Sequence, residues 1–180
     1  SKNNDERISL VDKIASSVEV PVQGLRGAFF WLLLSAVVIF FDQLTKIWVS
    51  NHLVLYDGFP VTSFFNIILA HNTGAAFSFL ADAGGWQRWL FTGVSASVSV
   101  FLVYWLYTLP RSQKALAFAL SLVIGGAIGN LIDRILYGYV VDFLDFYWGA
   151  SHFPAFNIAD SAITLGAIVL GFHIVFEKEG

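Results

Sequence analysis

Four carboxylates in the last third of the chain have residue types and spacing that could do chemistry: Asp133, Asp142, Asp145 and Asp160. Two carboxyl groups held in different environments can serve as the acid and the base of a hydrolysis. Asp142 has no cation beside it in the sequence, and an apolar surrounding raises the pKa of a carboxyl group. Asp160 follows Asn157, a good N-cap, by three residues, so a helix dipole would favour its anion. We therefore predict that Asp142 and Asp160 form the working pair.

The other two carboxylates have different interpretations. Arg134 directly follows Asp133, which indicates an ion-paired structural carboxylate, and Asp133 is the second candidate for the pair. Asp145 is interpreted as a solvated interface residue. The alternative is that all four are solvated acids with no catalytic role. The four histidines do not recur at a metal-ligand spacing, and the chain has no Cys, which excludes a Cys nucleophile and thiolate metal sites. We expect no metal and no cofactor.

Four long apolar stretches must position these acids: residues 28–49, 89–109, 115–132 and 158–176. Each has about the 20 residues that a helix needs to cross a bilayer. The chain is 57% hydrophobic and only 13% charged, whereas soluble domains carry about 25% charged residues. The sequence therefore predicts an integral membrane protein with four transmembrane helices. A net charge of −3 does not suggest binding to nucleic acid.

The acids are confined to one level of the membrane. Asp133 comes 19 residues after Lys114 on the third span, or about 28 Å along a helix. Asp160 comes 18 residues before Lys178 on the fourth span, or about 27 Å. These two cations belong to the opposite face, so both acids lie at the far edge. The connector between the two spans carries Asp142.

The distribution of cations predicts the orientation. Lys and Arg cluster before the first span, at 111–114 and after the fourth span, and such clusters stay in the cytoplasm. Both termini are therefore expected to be cytoplasmic, and segments 50–88 and 133–157 to be outside. Turn residues and apolar runs predict two short outer strands, at 63–69 and 75–80. The first 27 residues form either a mobile tail or an amphipathic helix on the inner surface, with no cleavable signal peptide expected.

Five motif blocks make the sequence similar to a known family. The blocks lie at 42–46 (Asp-Gln-x-x-Lys), 72–78 (Asn-Thr-Gly-Ala-Ala-Phe-Ser), 129–134 (Gly-Asn-Leu-Ile-Asp-Arg), 140–143 (Val-Val-Asp-Phe) and 156–163 (Phe-Asn-Ile-Ala-Asp-Ser-Ala-Ile). In this order, and with this hydropathy, they closely resemble bacterial lipoprotein signal peptidases, also called signal peptidase II. Only the first 27 residues lie outside the resemblance.

The resemblance implies a fold, an activity and a site. The fold is a four-transmembrane-helix bundle, an all-α membrane protein with a small periplasmic β-sheet cradle. The activity is an intramembrane aspartyl endopeptidase that removes the signal peptide from diacylglyceryl-modified prolipoproteins, cleaving on the amino side of the lipidated Cys. The family's catalytic aspartates fall on Asp142 and Asp160. Its substrate-binding and supporting residues fall on Asp42, Lys46, Asn72, Gly74, Asn130, Asp133, Arg134 and Asn157.

The remaining expectations concern organisation and partners. We expect a membrane peptidase domain at 28–176 with its cradle at about 51–85, between an N-terminal segment 1–27 and a C-terminal tail 177–180. The location implied is the bacterial inner membrane, with the active site at its periplasmic edge. Membrane lipids, prolipoproteins and globomycin-type peptide inhibitors are the implied partners, and a monomer is expected. The rival interpretation is a proton-coupled transporter that uses edge carboxylates.

Overall fold

The computed structural model describes residues 21–74 and 86–176. Within these ranges four helices are long and apolar enough to cross a membrane: α1 (Gly24–His52), α2 (Trp86–Thr108), α3 (Lys114–Leu136) and α4 (Ile158–Phe176). The prediction of four membrane helices is confirmed. The third helix runs four residues past its predicted apolar stretch, so Asp133 belongs to its last turns.

A four-stranded antiparallel sheet covers one end of the helices. Its strands are β1 (Gly58–Thr62), β2 (Phe65–Asn72), β3 (Val140–Trp148) and β4 (Ser151–His152), and they lie side by side in that order. The pairing of β2 with β3 sets Ala70 opposite Asp142. The sheet thus brings the segment between α1 and α2 against the connector between α3 and α4.

The prediction of a small sheet is confirmed, with differences in its strands. The strand predicted at 63–69 is β2, shifted to Phe65–Asn72, and the strand predicted at 75–80 lies outside the described residues. Pro60 lies in β1, where an edge strand tolerates a residue without an N–H donor. Two strands come from the connector at 140–152, beyond the expected cradle boundaries, because its apolar run Val140–Leu144 was not interpreted as a strand.

Helix α3 is the most buried of the four spans. Two glycines on this helix allow neighbouring helices to approach closely. A Cβ on Gly125 would lie 2.8 Å from the Cβ of Val38 on α1, and a Cβ on Gly126 would collide with the carbonyl oxygen of Ala159 on α4. Small residues at such contacts are the usual way to pack helices in a membrane. The Gly-rich stretch therefore serves helix packing.

Two apolar clusters join the parts of the fold. Leu106 on α2 and Leu120 on α3 are fully buried where α1, α2 and α3 meet. A second cluster lies beneath the sheet, where Val49 of α1 contacts Leu69 of β2 and Phe143 of β3. The sheet is therefore packed on the helices, and side chains on β3 are held at a fixed height above α3 and α4.

Candidate active site

Asp160 is held in the first turn of α4 by a reciprocal cap. Its backbone N–H donates to Asn157 Oδ1 at 2.8 Å, and the Asn157 N–H donates to Asp160 Oδ2 at 3.3 Å. The second carboxylate oxygen, Oδ1, accepts from Asn130 Nδ2 on α3 at 2.8 Å. The predicted N-cap is confirmed. Both oxygens of Asp160 therefore accept N–H groups at the positive N-terminus of α4.

Asp142 lies on β3 and is 2% exposed. Asn157 Nδ2 donates to its Oδ1 at 2.8 Å, and Asn72 at the end of β2 also hydrogen-bonds its carboxyl group. The side chain of Asn72 is oriented by its own turn, since its Oδ1 accepts the N–H of Gly74 at 2.9 Å. Gly74 has φ +78°, a conformation that favours glycine. The two predicted support residues Asn72 and Gly74 thus work together beside Asp142.

The two predicted catalytic acids are brought together by one residue. Asn157 is fully buried, its side chain donates to Asp142, and its backbone N–H donates to Asp160. Burial, and then the negative charge of Asp160, raise the pKa of Asp142 from 3.8 to about 7. Hydrogen bonds from Asn72 and Asn157 and the charge of Lys46 act in the opposite direction. The pKa of Asp142 is therefore raised, whereas the carboxylate of Asp160 accepts hydrogen bonds from N–H donors.

Arg134 supplies a positive charge that acts on both acids of the pair. Its guanidinium interacts electrostatically with Asp160, Asp133 and Asp142, in that order of strength. Its Nη1 donates to the backbone oxygen of Asn130 at 3.4 Å. The half-buried guanidinium can therefore neutralise part of the negative charge of Asp142 and Asp160.

Asp133 and Asp42 are joined by a lysine inside the protein. Lys46 Nζ lies 2.8 Å from Asp42 Oδ2 and 2.9 Å from Asp133 Oδ2, and it donates to Asn130 Oδ1 at 3.0 Å. All three charged side chains are almost completely buried. The expectation of an ion-paired Asp133 is confirmed, but its direct ionic partner is Lys46 and not the adjacent Arg134.

This buried triad holds the backbone next to each predicted catalytic acid. Asp42 Oδ1 accepts the N–H of Ala159 at 2.9 Å, one residue before Asp160. Asp133 Oδ2 accepts the N–H of Val141 at 3.0 Å, one residue before Asp142. The carboxylates on α1 and α3 thus fix the N-terminus of α4 and the start of β3, with Lys46 between them.

The interpretation of Asp145 as a solvated residue was wrong. Asp145 is only 4% exposed. Asn66 Nδ2 on β2 donates to its Oδ2 at 2.8 Å, and His152 Nδ1 on β4 lies 2.8 Å from its Oδ1. Neighbouring strands supply these partners, so a carboxylate can be buried at this position without a catalytic role.

One residue of the site was missed as a functional residue. Gln43 Nε2 donates to Asp133 Oδ1 at 3.0 Å, to the Gly129 oxygen at 3.1 Å and to Asp42 Oδ2 at 3.2 Å. It therefore links the two carboxylates of the triad. Its place beside Asp42 in the first motif block was the available indication.

Comparison with known proteins shows to which family the chain belongs. A family model described as signal peptidase (SPase) II matches residues 34–176. The lipoprotein signal peptidase of Cupriavidus taiwanensis is 53% identical over 147 residues, which cover 82% of this chain and 83% of the relative. That of Acinetobacter baumannii is 56% identical over 150 residues, covering 83% and 85%. A solved bacterial membrane enzyme is 34% identical with a TM-score of 0.73, covering 82% of this chain and 93% of that structure.

Four membrane-spanning helices with a polar site at one end, together with this structural match, define a multi-pass membrane enzyme. The family match then makes the assignment specific: the chain belongs to the signal peptidase II family and is a peptidase. The resemblance seen in the five motif blocks is confirmed. The alternative interpretation as a proton-coupled transporter finds no support in these comparisons.

Proposed function

We propose that the protein is an aspartic endopeptidase whose catalytic residues are Asp142 and Asp160. Its relatives are named lipoprotein signal peptidases, so the reaction is removal of the signal peptide from prolipoproteins. The observation that carries the catalytic assignment is that one buried residue, Asn157, hydrogen-bonds both carboxyl groups, through its side chain to Asp142 and through its backbone N–H to Asp160. The charge of Asp160 also raises the pKa of Asp142, as expected where a general base lies beside a general acid.

The environments assign a role to each acid. Asp160, as the anion, takes a proton from a water molecule while the water oxygen attacks the scissile carbonyl carbon. Asp142, whose pKa is raised to about 7, reacts in its protonated form and donates that proton to the carbonyl oxygen as the oxygen becomes negative. When the C–N bond breaks, the amine takes the proton from Asp160, and Asp142 regains its proton from the intermediate's hydroxyl group. Both carboxyl groups then have their starting charges.

The surrounding polar residues hold this geometry. Asn130 orients Asp160 and is itself held by Lys46 and Asn157. Asn72 lies at the exposed end of β2, where it can contact an extended peptide as well as Asp142. Globomycin-type peptides are expected to compete with substrate here. One chain supplies every residue of the site, which suits a monomer.

The substrate is expected to need its lipid. The site lies at one end of the helices, so the acyl chains of a diacylglyceryl Cys can stay in the bilayer while the peptide bond meets water. We expect kcat/KM for a lipidated prolipoprotein peptide to exceed that for the same peptide with an unmodified Cys by at least about tenfold, because the bilayer holds the lipidated substrate at the site. Cleavage can be measured by mass spectrometry in detergent or nanodiscs. Equal rates on both peptides would contradict the proposed substrate.

The rate is expected to fall as the pH rises through about 7. The pKa of Asp142 is raised to about 7 by burial and by Asp160, and the mechanism needs the protonated form. The pH profile of kcat/KM reports the free enzyme's essential groups, so we expect kcat/KM to fall about tenfold per pH unit well above that value. Initial rates between pH 5.5 and 9 would measure this. A rate that increases through pH 7 would mean that Asp142 acts as the base.

Both termini and the loop between α2 and α3 are proposed to be cytoplasmic, and the sheet periplasmic. The chain has no Cys, so a single introduced thiol reports one position. Ser112 in the loop and Ser151 on β4 are both exposed and offer matched Ser→Cys variants. In intact cells a membrane-impermeant maleimide should label Ser151→Cys and not Ser112→Cys, with both labelled after lysis. The reverse pattern would invert the topology.

A further inference from the structure

A cavity lies at the end of the helices opposite to Asp142 and Asp160. Its volume is about 580 Å³. Among the residues that the structure describes, three cations line it and no acid does. The lining residues are Gln23, Arg26, Gly27, Phe30, Trp31, Arg111 and Lys114. Because Lys114 starts α3 and Asp133 lies near its end, the cavity and the catalytic site are about 28 Å apart along that helix.

Backbone pairing builds the cavity from two loops. The chain before α1 pairs with the α2–α3 loop, where Gln23 N–H donates to the Leu109 oxygen at 2.7 Å and Arg111 N–H donates to the Pro21 oxygen at 2.9 Å. Arg111 Nε also donates to the Val22 oxygen at 2.9 Å. One N–H group of the guanidinium is therefore held against the backbone, and within residues 21–74 and 86–176 no other hydrogen bond engages its remaining donors, which can contact a ligand.

The charges around this cavity are not neutralised by acids in the described part of the chain. The salt bridges found there involve Lys46 and His152, and not Arg26, Arg111 or Lys114. Two helices also begin at the cavity, α1 and α3, and neither has an acid in its first turn or a hydrogen bond from its N-cap side chain. Unsatisfied N–H groups and the positive dipole ends of both helices add to the positive potential.

An aromatic wall next to these cations extends into the membrane. Phe30 lines the cavity and is 66% exposed on the lipid-facing side of α1, and Trp31 is next to it. Phe30 comes six residues after Gly24, the first residue of the membrane-spanning helix α1. A ligand that fits both parts needs an anionic head for the cations and an apolar body for the aromatic wall.

We propose that this cavity binds the phosphate group of an anionic phospholipid, in the leaflet opposite to the catalytic site. Basic pockets between transmembrane helices are known to take such headgroups. The acyl chains would lie along Phe30, and the phosphate would contact Arg26, Arg111 and Lys114. The aromatic wall and its membrane depth favour a lipid over a soluble phosphate. This site is independent of the peptidase assignment.

Thermal unfolding of the full chain in a neutral detergent tests the proposal. Saturating phosphatidylglycerol should raise Tm by about 5 °C more than phosphatidylcholine does, because a ligand that binds the folded state stabilises it. Inorganic phosphate at the same concentration should not. Native mass spectrometry should show one phosphatidylglycerol retained per chain. The double variant Arg26→Gln/Arg111→Gln should lose both effects.

The matched control is the double variant Lys13→Gln/Lys178→Gln, which removes two other cations predicted to lie on the same face of the membrane. It should keep both the increase in Tm and the retained lipid. Equal stabilisation by the two lipids, or loss of the preference in both double variants, would overturn the proposal. Stabilisation by inorganic phosphate alone would indicate a soluble anion. A preference that emerges only after deletion of residues 1–20 would show that the chain's own acidic segment is the occupant. If the double variant does not fold, Arg26→Gln and Arg111→Gln singly should each reduce lipid retention.

Discussion

Asp142→Asn and Asp160→Asn should each lower kcat/KM by at least about a thousandfold, the scale of losses seen when a catalytic group is removed. Asn keeps the shape of the side chain but can neither take nor give the required proton. The double variant should be barely worse than either single variant, because residues that act as one unit are not additive. Single-turnover cleavage of a lipidated peptide measures all three. Substrate binding should survive, since removal of one charge relieves the repulsion between the acids.

Stability separates loss of chemistry from loss of fold. The pKa of Asp142 is higher in the folded protein than its ordinary value of 3.8 and reaches about 7. The folded protein therefore binds this proton more tightly than the unfolded chain does. The resulting contribution to stability is complete below about pH 4 and is lost as the pH rises through 7. Asp142→Asn removes the buried charge, so above pH 7 its Tm should equal or exceed that of the parent.

Asp145→Asn is the matched control for the pair. It replaces another buried carboxylate on the same strand, whose partners are Asn66 and His152 and not the catalytic residues. We expect it to retain activity within about tenfold. Asp133→Asn should be impaired without being inactive, since it weakens the triad. An active Asp142→Asn beside an inactive Asp133→Asn would show that the wrong carboxylates had been paired.

Helix positions could be predicted from the sequence because each span is a long apolar run, and in lipid every backbone group of such a run must be satisfied within the helix. The level of the acids followed from helix rise alone, since Asp133 and Asp160 are counted from cations at the other face. The cap at Asn157 followed from local spacing. These are properties of single segments.

Other features depended on contacts between segments and could not be predicted. β3 forms because β2 provides a partner strand, and its run Val140–Leu144 carries a buried acid between apolar residues, so no alternation was visible. Asp145 is buried only because β2 and β4 supply Asn66 and His152 as partners. Residues Lys46 and Asp133 are 87 positions apart, and their ion pair exists only once α1 and α3 pack.

Lys46→Met should have the largest effect on stability of any substitution in the site. The lysine is 2% exposed and has three acceptors: Asp42, Asp133 and Asn130. Its removal leaves two buried carboxylates without a cation, a loss that typically costs about 3–5 kcal/mol. We expect a large fall in Tm in detergent, a low yield of folded protein and loss of cleavage, as Ala159 and Val141 lose their fixed anchors.

A charge-compensated variant tests whether the loss comes from unpaired charge or from lost position. Asp42→Asn/Lys46→Met/Asp133→Asn removes all three charges while each Asn keeps an oxygen that can accept the N–H of Ala159 or Val141. This triple variant should regain a large part of the Tm lost by Lys46→Met, because the buried charges are gone. Its kcat should stay well below that of the parent, with KM less affected, because Asn130 has lost the lysine that orients it towards Asp160. A Lys46→Met variant as stable as the parent would mean that water solvates the two carboxylates, and that the triad does not hold α4 and β3 in place.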